Sequence, residues 1–289
     1  MEKSPDNTCW AFKEIELFKL LVTSPMNNLT KKFYETVGPH FVSLSCVQKA
    51  TEDADENIVV VSGFLVEISG RWLYVTAGHV LREFQHALDA GSQFDVWRLG
   101  DQTADNKFKG QAIPFDFDIK RWVIVEDAGL GLDYAAVDLN DLYCRALAVG
   151  GVKPLTKNEW GNHVVDNRGW AVVGIPNETV KYDGVTWISA RIVVLPLNPT
   201  SAPASAGKKA QNQFYAQIKD GSEDVVNNIA GMSGSPIFSF IRSEEGSRYT
   251  VIGVQSAWYP STRTIVGCPF SSFARALEEF IDSAKLESK

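Results

Sequence analysis

The chain has 289 residues, 45% hydrophobic and 22% charged, the balance of an ordinary folded protein with room for roughly two domains. Its net charge of -7 argues against a nucleic-acid-binding surface, and no apolar run is long enough for a membrane-spanning helix. Lys13, Glu14, Glu16 and Lys19 interrupt the first apolar positions, which excludes a secretory signal in this stretch.

Cys9–Val22 places Ala11, Ile15, Phe18 and Val22 at helical spacing, with Asn7 or Thr8 as cap and Ser24-Pro25 as stop. A second short helix is expected over Thr30–Thr36, broken by Gly38-Pro39. Residues 1–37 therefore read as a helical extension that packs on the body or docks a partner. Beyond Gly38, Phe41–Val47 alternates like a strand, and Ile58–Ile68 and Trp72–Thr76 read as strands joined by a tight turn at Ser69-Gly70. Phe94–Leu99, Trp122–Val125 and Tyr134–Leu139 add short strands, so 38–150 reads as one β unit.

The pattern restarts at Gly169. Trp170–Gly174, Thr186–Leu195, Phe214–Ile218, Ile237–Phe240 and Tyr249–Gln255 are strand-like, giving a second β unit within 151–289. Pro199–Lys209, rich in Pro, Ala and Ser, reads as a mobile loop. A closing helix is expected over Phe273–Ala284, capped by Ser271 or Ser272, with Phe273, Ala276, Leu277, Phe280 and Ile281 on one face. The expected class is all-β: two antiparallel units flanked by terminal helices, with no internal sequence repeat.

Cys9, Cys46, Cys144 and Cys268 are far apart and form no C-x-x-C pair, so they read as free buried thiols in a reducing, cytoplasmic setting. There is no H-E-x-x-H and no Cys/His cluster, so neither a metal nor another cofactor is expected.

The chemistry gathers at Gly231-Met232-Ser233-Gly234-Ser235-Pro236, just before the run Ile237-Phe238. Glycines on either side of Ser233 open backbone conformations closed to other residues and leave room for a substrate. The N–H groups of Gly231 and Ser233 can converge on one point, as an oxyanion hole requires. A serine nucleophile also needs a base and a carboxylate that orients it. His79, after the small residues Ala77 and Gly78 at the end of a buried strand, is the candidate base. Asp133, at the mouth of the first unit, is the candidate carboxylate, with Asp138 and then Asp127 as rivals.

Three motifs occur in order: Thr76-Ala77-Gly78-His79, Asp133-Tyr134-Ala135-Ala136-Val137 and Gly231-Met232-Ser233-Gly234-Ser235-Pro236. Together they resemble the T-A-A-H, D-x-A-L and G-D-S-G-G-P motifs of the chymotrypsin/trypsin-like serine proteases, over about residues 38–285. The resemblance implies two six-stranded antiparallel barrels with the active site between them. It implies His79 as general base, Asp133 as its orienter, Ser233 as nucleophile, and the Gly231 and Ser233 N–H groups as oxyanion hole. Ser256 matches the serine that supports the aspartate and lines the substrate strand. By the same resemblance Asn227, six residues before Ser233, is expected at the base of the primary pocket beside Asn228, with Ser256-Ala257-Trp258 as its wall. Val80 stands where secreted members carry a cysteine. Met232 replaces the aspartate that pairs with a new N-terminus, so activation by that cut is not expected, and the chain resembles the disulfide-free branch.

The implied function is a serine endopeptidase of restricted specificity, with protein or peptide as substrate and a regulatory protein as candidate partner. The alternative is a protease-fold binding or scaffold module without turnover. An esterase is disfavoured by the order His, Asp, Ser and by Ser235, which spoils the G-x-S-x-G elbow.

Overall fold

Residues rich in Val, Ile, Phe and Tyr alternate with turn residues along most of this chain, and they form strands that must bury at least one face. The computed structural model describes residues 33, 35–51, 55–100, 112–166, 169–182, 188–206, 210–222, 225–243 and 246–287. The helix expected over Cys9–Val22 and most of that over Thr30–Thr36 lie outside the described residues. The described part of the first unit holds β1 (Phe41–Lys49), β2 (Asn57–Ile68), β3 (Arg71–Thr76), α1 (Gly78–Asp89), β4 (Gln93–Gly100), β5 (Ala112–Pro114), β6 (Val123–Asp127), β7 (Leu132–Asp138) and α2 (Asp141–Val149). Its strands form one antiparallel sheet in the order β5-β4-β1-β2-β3-β7-β6. It thus has seven strands where six were expected, with the three-residue β5 and β6 at its edges.

The second unit adds β8 (Trp170–Gly174), the short ribbon β9 (Lys181–Tyr182) and β10 (Ile188–Ser189), then β11 (Val193–Thr200), β12 (Phe214–Ile218), β13 (Pro236–Ser243), β14 (Gly246–Tyr259) and β15 (Thr264–Pro269). Six of these close into a barrel in the order β11-β12-β15-β14-β13-β8. Closure leaves no free edge in this sheet. Helix α3 (Phe270–Glu287) follows β15 directly.

Among the described residues, three apolar clusters hold the fold together. One fills the first unit around Leu44, Leu65, Tyr74, Leu99 and Leu147. Another fills the barrel around Val172, Leu195, Ile237, Ile252 and Ile265. The third joins the units and α3 through Phe41, Phe64, Val173, Phe238, Phe270 and Leu277. Phe64 and Phe270, both fully buried, meet edge to face with ring centroids 5.4 Å apart. Truncating either to alanine should cost about 3–5 kcal/mol. Polar bonds cross the same junction: Tyr134 Oη–H donates to Pro269 O at 2.8 Å, and the Ile175 N–H to Ser62 Oγ at 3.0 Å.

Several local expectations change. Helices α1 and α2 stand where no helix was read, because each is short and buries only a few side chains: Leu81 and Phe84 in α1, Tyr143 and Leu147 in α2. The α2 start is set by Asn140, whose Oδ1 accepts from the N–H groups of Leu142 and Tyr143. In α3 the buried face is Phe270, Phe273, Ala274, Leu277 and Ile281, while Ala276 and Phe280 are exposed. That helix begins at Phe270, ahead of the two serines expected to cap it. Pro199 and Thr200 continue β11, paired with Ala216 and Tyr215, instead of opening a loop.

Candidate active site

Pairing of β3 with β7 fixes the first part of the site. Thr76 lies opposite Ala135, so the chain leaving β3 passes Asp133 as it turns into α1. His79 sits in the first turn of α1. Its N–H has no acceptor within the helix and donates instead to Asp133 Oδ1 at 2.8 Å. The positive end of the helix favours an ionised carboxylate there. The imidazole Nδ1 is 2.7 Å from Asp133 Oδ2, and the Ser256 hydroxyl donates to the same oxygen. Asp133 is only 6% exposed, yet its two oxygens accept three hydrogen bonds.

The electrostatics follow from those contacts. Burial opposes the charge on Asp133. The hydrogen bond and charge of His79, the Ser256 hydroxyl and the His79 N–H outweigh it and hold the carboxyl below its usual 3.8. Burial likewise disfavours imidazolium at His79. The bond and charge of Asp133, with the charges of Glu83 and Glu126, overcome that and raise the imidazole above its usual 6.5.

The loop before β13 brings the third group. Ser233 Oγ is 3.0 Å from His79 Nε2, across the junction of the two units. Gly234 makes that approach feasible. Its φ is +88°, and a Cβ there would lie 2.0 Å from Thr76 Oγ1 and 2.4 Å from Ser62 O. Among the described residues, no acceptor is paired with the N–H of Gly231 or of Ser233. A hydroxyl facing a basic ring nitrogen, beside two unpaired N–H donors, is equipped to attack a carbonyl.

The rival carboxylates lie elsewhere. Asp138 pairs with Arg71 at 2.9 Å on the exposed end of the sheet, and Asp127 Oδ1 accepts the Leu130 N–H in a turn. The expected pocket residues divide. Ser256 joins Asp133, as described. Ala257 O accepts from Gln255 Nε2 at 3.1 Å, and Trp258 is half-buried against the barrel core. The side chains of Asn227 and Asn228 are exposed, and their N–H groups donate to the carboxylate of Glu178. Sequence reading missed Glu178, since nothing in Pro176-Asn177-Glu178-Thr179 sets it apart from any exposed turn. Asp224, the aspartate nearest to Asn227 in sequence, lies outside the described residues.

Cys46, Cys144 and Cys268 are free, and burial pushes the Cys268 thiol up to about 12. Among the described residues no group of His, Cys, Asp and Glu is arranged to hold a metal ion, and no helix is long and apolar enough to cross a membrane.

No family model and no curated protein matches the chain. Solved structures similar to it include a thermostable serine protease from an extremophilic microorganism, with 15% identity, 80% of this chain and 91% of that chain covered, and a TM-score of 0.46. Another is an inactivated protease paralogue of the scabies mite, with 13% identity, 86% and 94% covered, and a TM-score of 0.49. Likeness at this level carries no argument about turnover, which rests on the chain's own side chains.

Proposed function

We propose that this chain is a serine endopeptidase. The observation that carries the reading is His79 bridging Asp133 and Ser233, at 2.7 Å from one and 3.0 Å from the other. In this reading the unit over 38–150 brings the base and its carboxylate, and that over 151–289 brings the nucleophile, the oxyanion donors and the substrate pocket.

Ser233 Oγ attacks the scissile carbonyl carbon while its proton passes to His79 Nε2. The carbonyl oxygen becomes an oxyanion held by the N–H groups of Gly231 and Ser233. Asp133 holds the Nδ1 proton and balances the imidazolium. The imidazolium then protonates the leaving amine as the C–N bond breaks, which leaves an ester on Ser233. Water, deprotonated by His79, attacks that ester, and the serine leaves with its proton restored.

The pocket residues support a neutral, small-to-medium residue before the scissile bond. The side chains of Asn227 and Asn228 offer dipoles and no charge, and the nearby Glu178 carboxylate is taken up by their two N–H groups, so a cation buried there would be strongly penalised. In this reading Trp258, standing where open-pocket relatives carry glycine, narrows the entrance. The test is a peptide library varied at that position, incubated with wild type and with Ser233→Ala. Cleavage by wild type alone, after uncharged residues, is expected. No cleavage of any peptide or protein by wild type would contradict the reading, and cleavage mainly after Lys or Arg would contradict the neutral pocket.

A further inference from the structure

The stretch Ala230-Gly231-Met232-Ser233-Gly234-Ser235-Pro236 contains no ionisable side chain that could anchor it, and Met232 is fully buried in the barrel core. Yet an oxyanion hole works only if its donors are fixed before the reaction. The anchors come from the segment after β8 and from Arg191. The Glu178 carboxylate accepts the Asn227 N–H on Oε1 at 2.9 Å and the Asn228 N–H on Oε2 at 3.0 Å. Asn177 donates its N–H to Ala230 O at 2.8 Å, and the Arg191 guanidinium donates to Val225 O. The loop from Val225 to Ala230 is thus tied at its start, middle and end. Asn228 Oδ1 accepts the Ala230 N–H at 2.9 Å, which tightens the last turn before Gly231.

Gly231 itself lies against Asn177. Its φ is +90°, and a Cβ there would come within 2.0 Å of Asn177 Oδ1. The segment that holds the loop therefore also abuts the residue whose N–H must point at the substrate.

We propose that Glu178 is a positioning residue for the oxyanion donors, acting through the backbone of Asn227 and Asn228, with Asn177 and Arg191 completing the latch. This rests on the reading of Ser233 as nucleophile. A carboxylate suits the task because two parallel N–H donors need two acceptors, and a charged acceptor makes each bond stronger. A glutamine would offer one oxygen and turn an NH2 group toward the other donor.

The experiment is the rate of phosphonylation of Ser233 by an alkyl fluorophosphonate, for wild type, Glu178→Gln and Glu178→Asp, with melting temperature and pH profile recorded for each. Glu178→Gln should react at least about tenfold more slowly, a part of the roughly 10²–10³ that one oxyanion donor supplies. Its melting temperature and the pH midpoint set by His79 should stay near those of wild type. Glu178→Asp, which keeps two acceptors, should recover part of the rate. Equal rates for Glu178→Gln and wild type would overturn the inference alone, as would a loss explained by unfolding at the assay temperature. A wild type that is not phosphonylated would overturn both the hydrolase reading and this inference.

Discussion

Asp133 grips His79 at two points, Oδ2 to the ring Nδ1 at 2.7 Å and Oδ1 to the backbone N–H at 2.8 Å. One contact fixes which nitrogen carries the proton, and the other fixes where the ring stands. The Nε2 lone pair is then left facing Ser233. Neither Asp138 nor Asp127 has such a partner.

Asp133→Asn should lower turnover by roughly 10⁴, because an amide favours the tautomer with hydrogen on Nε2, where the serine proton must go. Asp138→Asn should leave turnover within a few-fold of wild type. Steady-state kinetics of the two variants checks the ranking, and the reverse order would move the orienting role to Asp138.

The pH profile follows from the raised pKa of His79. The imidazole must be neutral to accept a proton, so activity should rise with pH through a midpoint above 6.5. Asp133→Asn should move that midpoint down, since burial then acts with less opposition. The folded state should be affected in the opposite sense. His79 has a raised pKa, so its contribution to stability is complete below 6.5 and is lost as pH rises through the folded value. Asp133 has a depressed pKa, so its contribution is present above 3.8 and is lost as pH falls through its folded value. Urea unfolding across this range should show the pair's contribution largest between 3.8 and 6.5. A pH-independent rate with chemistry limiting would contradict His79 as base.

Ser256→Ala should remove one donor from Asp133 while leaving both His79 contacts. A hydrogen bond to a charged group is worth about 1.5 kcal/mol, so turnover should fall roughly tenfold, far less than for Asp133→Asn. A loss as large as that of Asp133→Asn would mean that Ser256 does more than support the carboxylate.

Strands were legible where apolar alternation met a clear turn signal, as in β2 and β3 around Ser69-Gly70, while β5 and β15 were not read. Helix α1 was not, because its buried apolar side chains are just Leu81 and Phe84 and no side chain caps its start. Asp133, His79 and Ser233 could be read because strand ends and glycines mark them. Their meeting depends on the pairing of Thr76 with Ala135 and on the close approach at Gly234, which only three dimensions supply. Glu178 was invisible because its role is played to backbone N–H groups far away in sequence.

Gly234→Ala should destabilise the protein by about 2–4 kcal/mol, combining left-handed backbone strain with overlap against Thr76 and Ser62. Chemical unfolding measures this directly. An unchanged midpoint would mean that the loop can back away from the first unit at little cost.

The most direct test of the central claim is intact-mass and peptide-mass analysis after reaction with an alkyl fluorophosphonate. The account predicts one adduct per chain, located on Ser233, formed with loss of fluoride, and absent from Ser233→Ala and strongly slowed in His79→Ala. A wild type that stays unmodified, or an adduct on another residue that persists in Ser233→Ala, would contradict it.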